Sequence, residues 1–304
     1  MFVNSLSRER YPINYIYGFA SEGFSYFLTT QMRHTQPSPY HSKLVRVCHD
    51  DSDYYSYTEI PIQCSGQDGK DYSLVQAAYV GKPGSDLAAD LGVTAQDDVM
   101  FAVFSTPDSS EGDITSKPSK DSALCVYSLK NIRRRFMSNI QRCYSGEGQR
   151  GLDFISPSLP CINTKLTQIG EQFCGLDVNT PLGGELPILQ APVLTFSSVL
   201  TSVTATSTGD FTVVFLGTAD GSLKKAVVES ANNGIEYADI AIAPGTSVRS
   251  DLLFDLKRDH VYVMTDRRLS KVKVQDCQQY SDCNQCLGAR DPYCGWCSLE
   301  NKCR

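Results

Sequence analysis

The residues best able to do chemistry in this chain are its sulfurs. Cys283-x2-Cys286 and Cys294-x2-Cys297 form two C-x2-C knuckles, a spacing that grips zinc because each tight turn presents two thiolates. Seven residues separate the knuckles, against about 12–20 in a zinc ribbon, and Cys277 and Cys303 would be left over. The same six cysteines, packed into twenty-seven residues with the lone Trp296, suit a disulfide knot better. So short a segment buries too little apolar surface to hold itself without covalent help. Six more cysteines, Cys48, Cys64, Cys125, Cys143, Cys161 and Cys174, allow fifteen pairings, and the residues alone leave these open. Twelve cysteines in all point to an oxidising compartment; the rival reading is reduced, buried thiols in a cytosolic protein.

A catalytic centre would need histidine, carboxylate or hydroxyl groups converging. His34, His41 and His49 fall within sixteen residues, with His260 apart. Asp50, Asp51 and Asp53 lie beside His49 and offer oxygens to calcium, but the loop pattern of Asp-x-[Asp/Asn]-x-[Asp/Asn]-Gly with a distant Glu is not present. These residues read as solvated turns. Gly146-Glu-Gly148-Gln-Arg-Gly151 has the bare G-x-G-x-x-G spacing, which needs a strand before it and a helix after it. Here a helix precedes it, and Pro157 and Pro160 follow closely, so it reads as a glycine-rich turn. There is no Gly-x-Ser-x-Gly or P-loop. The expectation is therefore no enzyme, no metal and no cofactor. A net charge of −6 also argues against nucleic acid, which demands a concentrated positive face.

The elements that carry these residues read as short strands. Tyr15–Phe19, Phe24–Thr29, Lys43–Cys48 and Tyr54–Cys64 are β-branched or aromatic runs between polar breaks. Ser73–Val80, Val99–Ser105 and Ala123–Leu129 give a second set. Leu200–Ser207, Phe211–Gly217, Ser222–Val228 and Ile235–Ile242 give a third, with Asp220-Gly221 as its tight-turn signal. Val248–Leu256, Val261–Thr265 and Lys271–Val274 give the last. Sets of strands at this spacing favour blades of a β-propeller over a sandwich. One short helix is expected over Asn131–Ile140, with Ile132, Phe136 and Ile140 on one face and Arg133-Arg134-Arg135 on a solvated one. Ser105–Asp121 reads as a flexible hairpin tip, and residues 144–192 as a long irregular loop. Residues 1–10 lack the basic start and apolar run of a signal peptide. No window approaches the eighteen apolar residues of a membrane span, and no Asn-x-Ser/Thr acceptor occurs.

Several longer phrases are informative together. Leu287-Gly-Ala-Arg-Asp-Pro-Tyr-Cys-Gly-Trp-Cys297 resembles the cysteine-rich (PSI) module shared by plexins, semaphorins and integrins. Leu44-Val-Arg-Val-Cys48, Tyr55-Ser-Tyr-Thr-Glu-Ile-Pro-Ile-Gln-Cys64, Cys143-Tyr-Ser-Gly-Glu-Gly148 and Phe173-Cys-Gly-Leu-Asp177 through Pro181-Leu-Gly-Gly184 resemble the sema domain of plexins, in family order. The resemblance implies an all-β chain: a partial β-propeller of about four of the family's seven blades over residues 1–275, then a PSI module over 276–304. It implies the disulfides Cys48–Cys174, Cys64–Cys125, Cys143–Cys161, Cys277–Cys294 and Cys286–Cys303, with partners for Cys283 and Cys297 beyond Arg304. On that reading the chain is a piece of a longer protein, with exposed strand edges at Asn14 and at Val248–Val274 that invite association.

The function so implied is the extracellular part of a plexin-like plasma-membrane receptor. It would dock propeller to propeller with a semaphorin sema domain, with receptor self-association as a further possibility. Membrane attachment and GTPase-activating function would belong to parts outside this chain. A semaphorin-like ligand is the alternative reading. The bridged loop after Cys174 is the candidate contact surface, carried by Asp177, Asn179, Pro181 and Leu182, because a tethered loop loses less entropy on binding.

Overall fold

The computed structural model describes residues 10–112, 114–152, 154–155, 158–166 and 169–304. Most of the first ten residues, Asp113 of the polar loop and Pro157 lie outside them. The chain is all-β apart from short helices, and its strands fall into four successive sheets followed by a small two-stranded one.

The first sheet is a meander of β1 (Ile13–Ser21), β2 (Phe24–Met32), β3 (Tyr40–Cys48) and β4 (Thr58–Ser65), with β5 (Asp71–Tyr72) against β4. Alternation builds it: Phe24, Tyr26 and Leu28 of β2 all point inward, and Tyr26 stacks on Phe19 of β1 with ring centroids 4.8 Å apart. The second sheet has β6 (Leu74–Gly81), β7 (Val99–Pro107) and β8 (Pro118–Ser128), with helix α1 (Ser85–Asp90) between the first two. Helix α2 (Leu129–Tyr144) follows. Two short strands after it, β9 (Leu182–Gly183) and β10 (Ile188–Gln190), return to β4 and pair with it in parallel, in registers Thr58↔Leu182 and Ile62↔Ile188. Strand β11 (Leu194–Phe196) then completes the second sheet against β8.

The third sheet is β12 (Leu200–Ser207), β13 (Thr212–Thr218), β14 (Ser222–Ser230) and β15 (Asn233–Ala241). Every residue of β13 is buried, because both of its faces meet a core. Val214 and Leu216 enter one cluster with Val203, Ala226 and Leu87, while Val213 and Phe215 enter another with Leu252, Val261 and Val263. The β13–β14 hairpin turns at Asp220-Gly221, where Gly221 has φ 94° and a side chain would meet the Ala243 carbonyl at 2.0 Å. The fourth sheet is β16 (Val248–Phe254), β17 (His260–Thr265) and β18 (Leu269–Lys273). Strand β1 ends the first sheet and β18 ends the fourth. In the small module, α3 (Cys283–Gly288) precedes the pair β19 (Trp296–Cys297) and β20 (Lys302–Cys303).

Contacts divide the chain into two compact units. One holds the chain up to Val75 together with Phe104–Ser119 and Leu129–Gln190; the other holds Gln76–Val103, Lys120–Ser128 and Ala191–Arg304. No helix among the described residues is long and apolar enough to cross a membrane.

Several elements depart from the sequence expectation. Helix α2 runs four residues beyond Ile140 and starts two before Asn131, because Leu129, Cys143 and Tyr144 are buried along the same stripe. Arg133 is not solvated: only 12 % of its side chain is exposed, and it pairs with Glu22 at 3.2 Å and Glu171 at 3.5 Å. It lies four residues after Leu129 and three before Phe136, at the margin of the buried face. Helix α1 has a single deeply buried leucine, Leu87, too little for a periodicity to register.

Candidate recognition surface

Helix α2 is the post to which the irregular segment after it is fastened. Asn139, 4 % exposed, donates through Nδ2 to the carbonyls of Arg135 and Leu186, both at 2.9 Å, and its Oδ1 accepts the Leu186 N–H at 2.9 Å. The Tyr144 hydroxyl donates to the Val178 carbonyl at 2.9 Å and accepts the Leu176 N–H at 3.0 Å. The helix closes through Gly146 N–H to Cys143 O and Glu147 N–H to Arg142 O, at 2.9 and 3.0 Å, the paired bonds of a Schellman ending. That is the structural use of the G-x-G-x-x-G stretch. On the opposite flank, the fully buried Arg46 of β3 sits 4.2 Å from the Phe24 ring centroid and 5.0 Å from that of Phe136, a cation–π bridge from sheet to helix.

The structure links Cys48 to Cys174 and Cys143 to Cys161; Cys64 and Cys125 are disulfide-bonded as well. The first bridge lays the 174–184 segment beside the turn that follows β3. Thr180 Oγ1 donates to the Tyr55 carbonyl at 2.8 Å, and Leu182 N–H to the Tyr57 carbonyl at 3.0 Å. At Gly175 (φ 78°) any side chain would meet the Tyr55 carbonyl at 2.3 Å.

As ligand contacts, three of the four residues expected on this loop need correction. Asn179 is buried and clamps Ile162, accepting its N–H and donating to its carbonyl, each at 2.8 Å. Pro181 and Leu182 are buried as well. They hold the loop; they do not present it. Only Asp177 is exposed. What the loop and its neighbours offer to solvent is a set of apolar and aromatic side chains: Leu176 at 42 %, Ile162 at 51 %, Tyr54 at 54 % and Tyr55 at 41 % exposure. Tyrosine is among the side chains enriched where proteins meet proteins. The sequence carried no signal for them, since exposure here depends on which side Asn179 and Pro181 turn inward.

The His and Asp cluster is split by the fold. His49 lies 3.1 Å from Ser25 Oγ, away from a cleft that His34 and His41 share. Asp51 accepts the Ser56 N–H at 2.6 Å, and Ser56 Oγ accepts the Cys48 N–H at 2.9 Å. Burial acts to raise the Asp51 carboxyl, but hydrogen bonds from Ser56, Tyr55 and Asp53 prevail and hold it below its ordinary value. Its contribution is therefore present above about pH 4 and is lost as pH falls through the depressed value. Asp51→Ala is expected to cost about 1 kcal/mol in urea unfolding at neutral pH and much less below the depressed value.

In the C-terminal module, Cys277 is bonded to Cys294 and Cys286 to Cys303. Each C-x2-C knuckle thus keeps one thiol, Cys283 and Cys297, both half-buried, and cannot supply the four thiolates of the zinc reading. The module is anchored to the third sheet. Tyr293 packs against the core that contains Phe215 and Val261. Lys225 of β14, 5 % exposed, donates to the carbonyls of Val274 at 2.8 Å and Lys273 at 3.3 Å. Burial pushes the Lys225 ammonium down and the Asp291 carboxyl up, and each charge partly offsets the effect on the other.

Known proteins share this geometry. The Sema domain family matches residues 75–255 and the Plexin repeat family matches residues 276–304. Plexin A3 of Danio rerio is 39 % identical over 311 residues, covering 97 % of this chain and 16 % of that protein. The chain thus spans about one sixth of the length of that relative. A solved structure of the plexin A4 full extracellular region superposes with a TM-score of 0.90 at 37 % identity, covering 99 % of this chain and 31 % of that one. Drosophila Plexin A in complex with Semaphorin 1b gives a TM-score of 0.66 at 17 % identity, covering 96 % of this chain and 61 % of that one, a likeness of fold alone.

Proposed function

Because this chain belongs to the Sema domain family, we propose that it is a ligand-recognition region of a plexin-type receptor whose partner is a semaphorin. The observation that carries this reading is the 0.90 TM-score to the plexin A4 extracellular region over 99 % of the chain. Two further features support it. A solved structure with this fold holds a plexin in complex with a semaphorin, and the first unit exposes Tyr54, Tyr55, Ile162 and Leu176 on or beside a disulfide-tethered segment. The division of labour is a sema region over residues 1–275 and a PSI module over 276–304, acting outside the cell. The work is binding, without a reaction of its own. Docking is propeller to propeller, with Tyr54, Tyr55, Ile162, Leu176 and Asp177 at the contact.

The test is binding of the receptor's extracellular region to a panel of semaphorin ectodomains by surface plasmon resonance. At least one semaphorin is expected to bind. Leu176→Asp, which leaves the Leu176 backbone bond to Tyr144 intact, is expected to weaken that complex by about tenfold or more with an unchanged unfolding midpoint. Unaltered affinity in both Leu176→Asp and Tyr55→Ser would remove this surface from the contact. A panel without a single binder would remove the reading itself.

A further inference from the structure

The turn between β3 and β4, residues 49–57, reads His-Asp-Asp-Ser-Asp-Tyr-Tyr-Ser-Tyr. Its carboxylates Asp50, Asp51 and Asp53 stand four, three and one residues before Tyr54, and no lysine or arginine interrupts them. None of these residues lies in a strand or helix. The turn is held at its base instead: Cys48 is bridged to Cys174, and Asp51 accepts the Ser56 N–H at 2.6 Å. At its tip Tyr54 takes a left-handed backbone angle, φ 60°, and its N–H meets the Asp51 carbonyl at 3.4 Å.

Three of the sixteen tyrosines are exposed: Tyr15 at 67 %, Tyr54 at 54 % and Tyr55 at 41 %. Tyr15 lies within the ladder of β1 and has no carboxylate within five residues on either side. Tyr72 follows Asp71 but is buried, at 5 % exposure. Tyr57, at the end of the same turn, faces inward and gives its hydroxyl to Glu59 at 3.1 Å. Tyr54 alone joins an exposed ring, a carboxylate immediately before it and a backbone outside any sheet. Asp50 and Asp53 are exposed as well and have no ion pair among the described residues, so their charge is open to a cationic partner.

We propose that the Tyr54 hydroxyl is an acceptor for O-sulfation. The phenol oxygen attacks the sulfur of an adenosine phosphosulfate donor. The bond between that sulfur and the donor's phosphate oxygen breaks, the adenosine bisphosphate leaves with the electron pair, and the phenol proton passes to a base of the transferase. An enzyme that holds so anionic a donor has a basic cleft, and unpaired carboxylates beside the acceptor supply the complementary charge. The disulfides belong to an oxidising, secretory compartment, and transfer of sulfate to tyrosine takes place on that route. A sulfate on Tyr54 adds a fixed anion beside Asp50 and Asp53, and charge at the rim of a contact acts on association rate and partner choice. The inference does not rest on the semaphorin reading, since the modification is read without any ligand.

The experiment is peptide mass spectrometry of the full chain passed through the secretory route of cultured cells, grown with and without chlorate, which blocks synthesis of the donor. One sulfuryl group is expected on the peptide that holds Tyr54, absent after chlorate and resistant to phosphatase. Tyr54→Phe is expected to abolish it and Tyr55→Phe to leave it in place. Asp50→Asn together with Asp53→Asn, both at exposed positions, is expected to lose most of it. Where the cells retain the chain, the same mapping on purified chain given a tyrosylprotein sulfotransferase and its donor decides in the same way. An unmodified Tyr54, sulfate on Tyr55 alone, equal sulfate on Tyr15, a group that phosphatase removes, or full modification of the Asp50 and Asp53 double variant would each overturn the proposal.

Discussion

Replacing Cys48 and Cys174 together with serine is expected to lower the stability of the first unit by about 2–5 kcal/mol. The bridge spans 126 residues, so in the chain-entropy account it restricts the unfolded state more than a bridge across a short loop does. The Cys143–Cys161 bridge closes only 18 residues, and the segment it holds is also fastened by Asn139, Tyr144 and Asn179. The double serine variant at 143 and 161 is therefore expected to lose less, about 2–3 kcal/mol. Equilibrium urea unfolding gives the two losses, and limited proteolysis locates them. The 48/174 variant should become cleavable between Leu176 and Gly184 under native conditions, whereas the 143/161 variant should open nearer Ile162. Equal losses, or a reversed order, would mean that the hydrogen bonds from α2, and not the long bridge, hold the recognition loop.

The second large effect is expected at Lys225. Lys225→Met keeps the length of the side chain but removes the donor that meets the carbonyls of Lys273 and Val274, at the point where the fourth sheet passes into the C-terminal module. It also removes a cation near the buried Asp291 carboxyl. Carbonyls and a carboxylate left buried without their donor or counter-charge cost about 2–4 kcal/mol together. Trp296 is the only tryptophan and lies in the module, so its fluorescence reports this loss directly. Lys224→Met is the control one residue away. Lys224, 14 % exposed, reaches two carboxylates at the solvent edge, Glu236 at 2.9 Å and Asp239 at 2.7 Å, and its loss is expected to cost about 1 kcal/mol because those carboxylates stay hydrated. The alternation of the strand places two lysines in succession on opposite faces, one meeting buried carbonyls and one meeting carboxylates that water also reaches. Comparable shifts for both variants would contradict that division.

The pH response near Lys225 has opposing signs. The Asp291 carboxyl is raised by burial, so its unfavourable charge is present at neutral pH and is relieved as pH falls. The Lys225 ammonium is lowered by burial, so its cost is present at neutral pH and is relieved as pH rises. The charge of each acts against the shift of the other.

What the residues alone determined about this protein is its strand grammar and its sulfur. Phe211–Gly217 and Ser222–Val228 alternate on either side of Asp220-Gly221 in a way that only a hairpin satisfies, because a side-chain period of two and a left-handed turn position are local properties. The density of cysteines around Trp296 likewise dictated a cross-linked module, since so short a segment has no other means of closing. The tertiary structure decided the rest. Strands β9, β10 and β11 are two or three residues long and form only because β4 and β8 offer edges far away in the chain. Asn179 looks in sequence like a contact residue of an exposed loop. It is buried because Ile162, seventeen residues earlier, presents an N–H and a carbonyl that its amide alone satisfies. Arg133 turns inward because Glu22 and Glu171 meet it there. The cleft that His34 and His41 share exists because Gln149, Leu152, Ser158 and Gly183 come back across β3 and β4. Whether a polar side chain is surface or scaffold depends on partners distant in sequence, and that information resides in the packing.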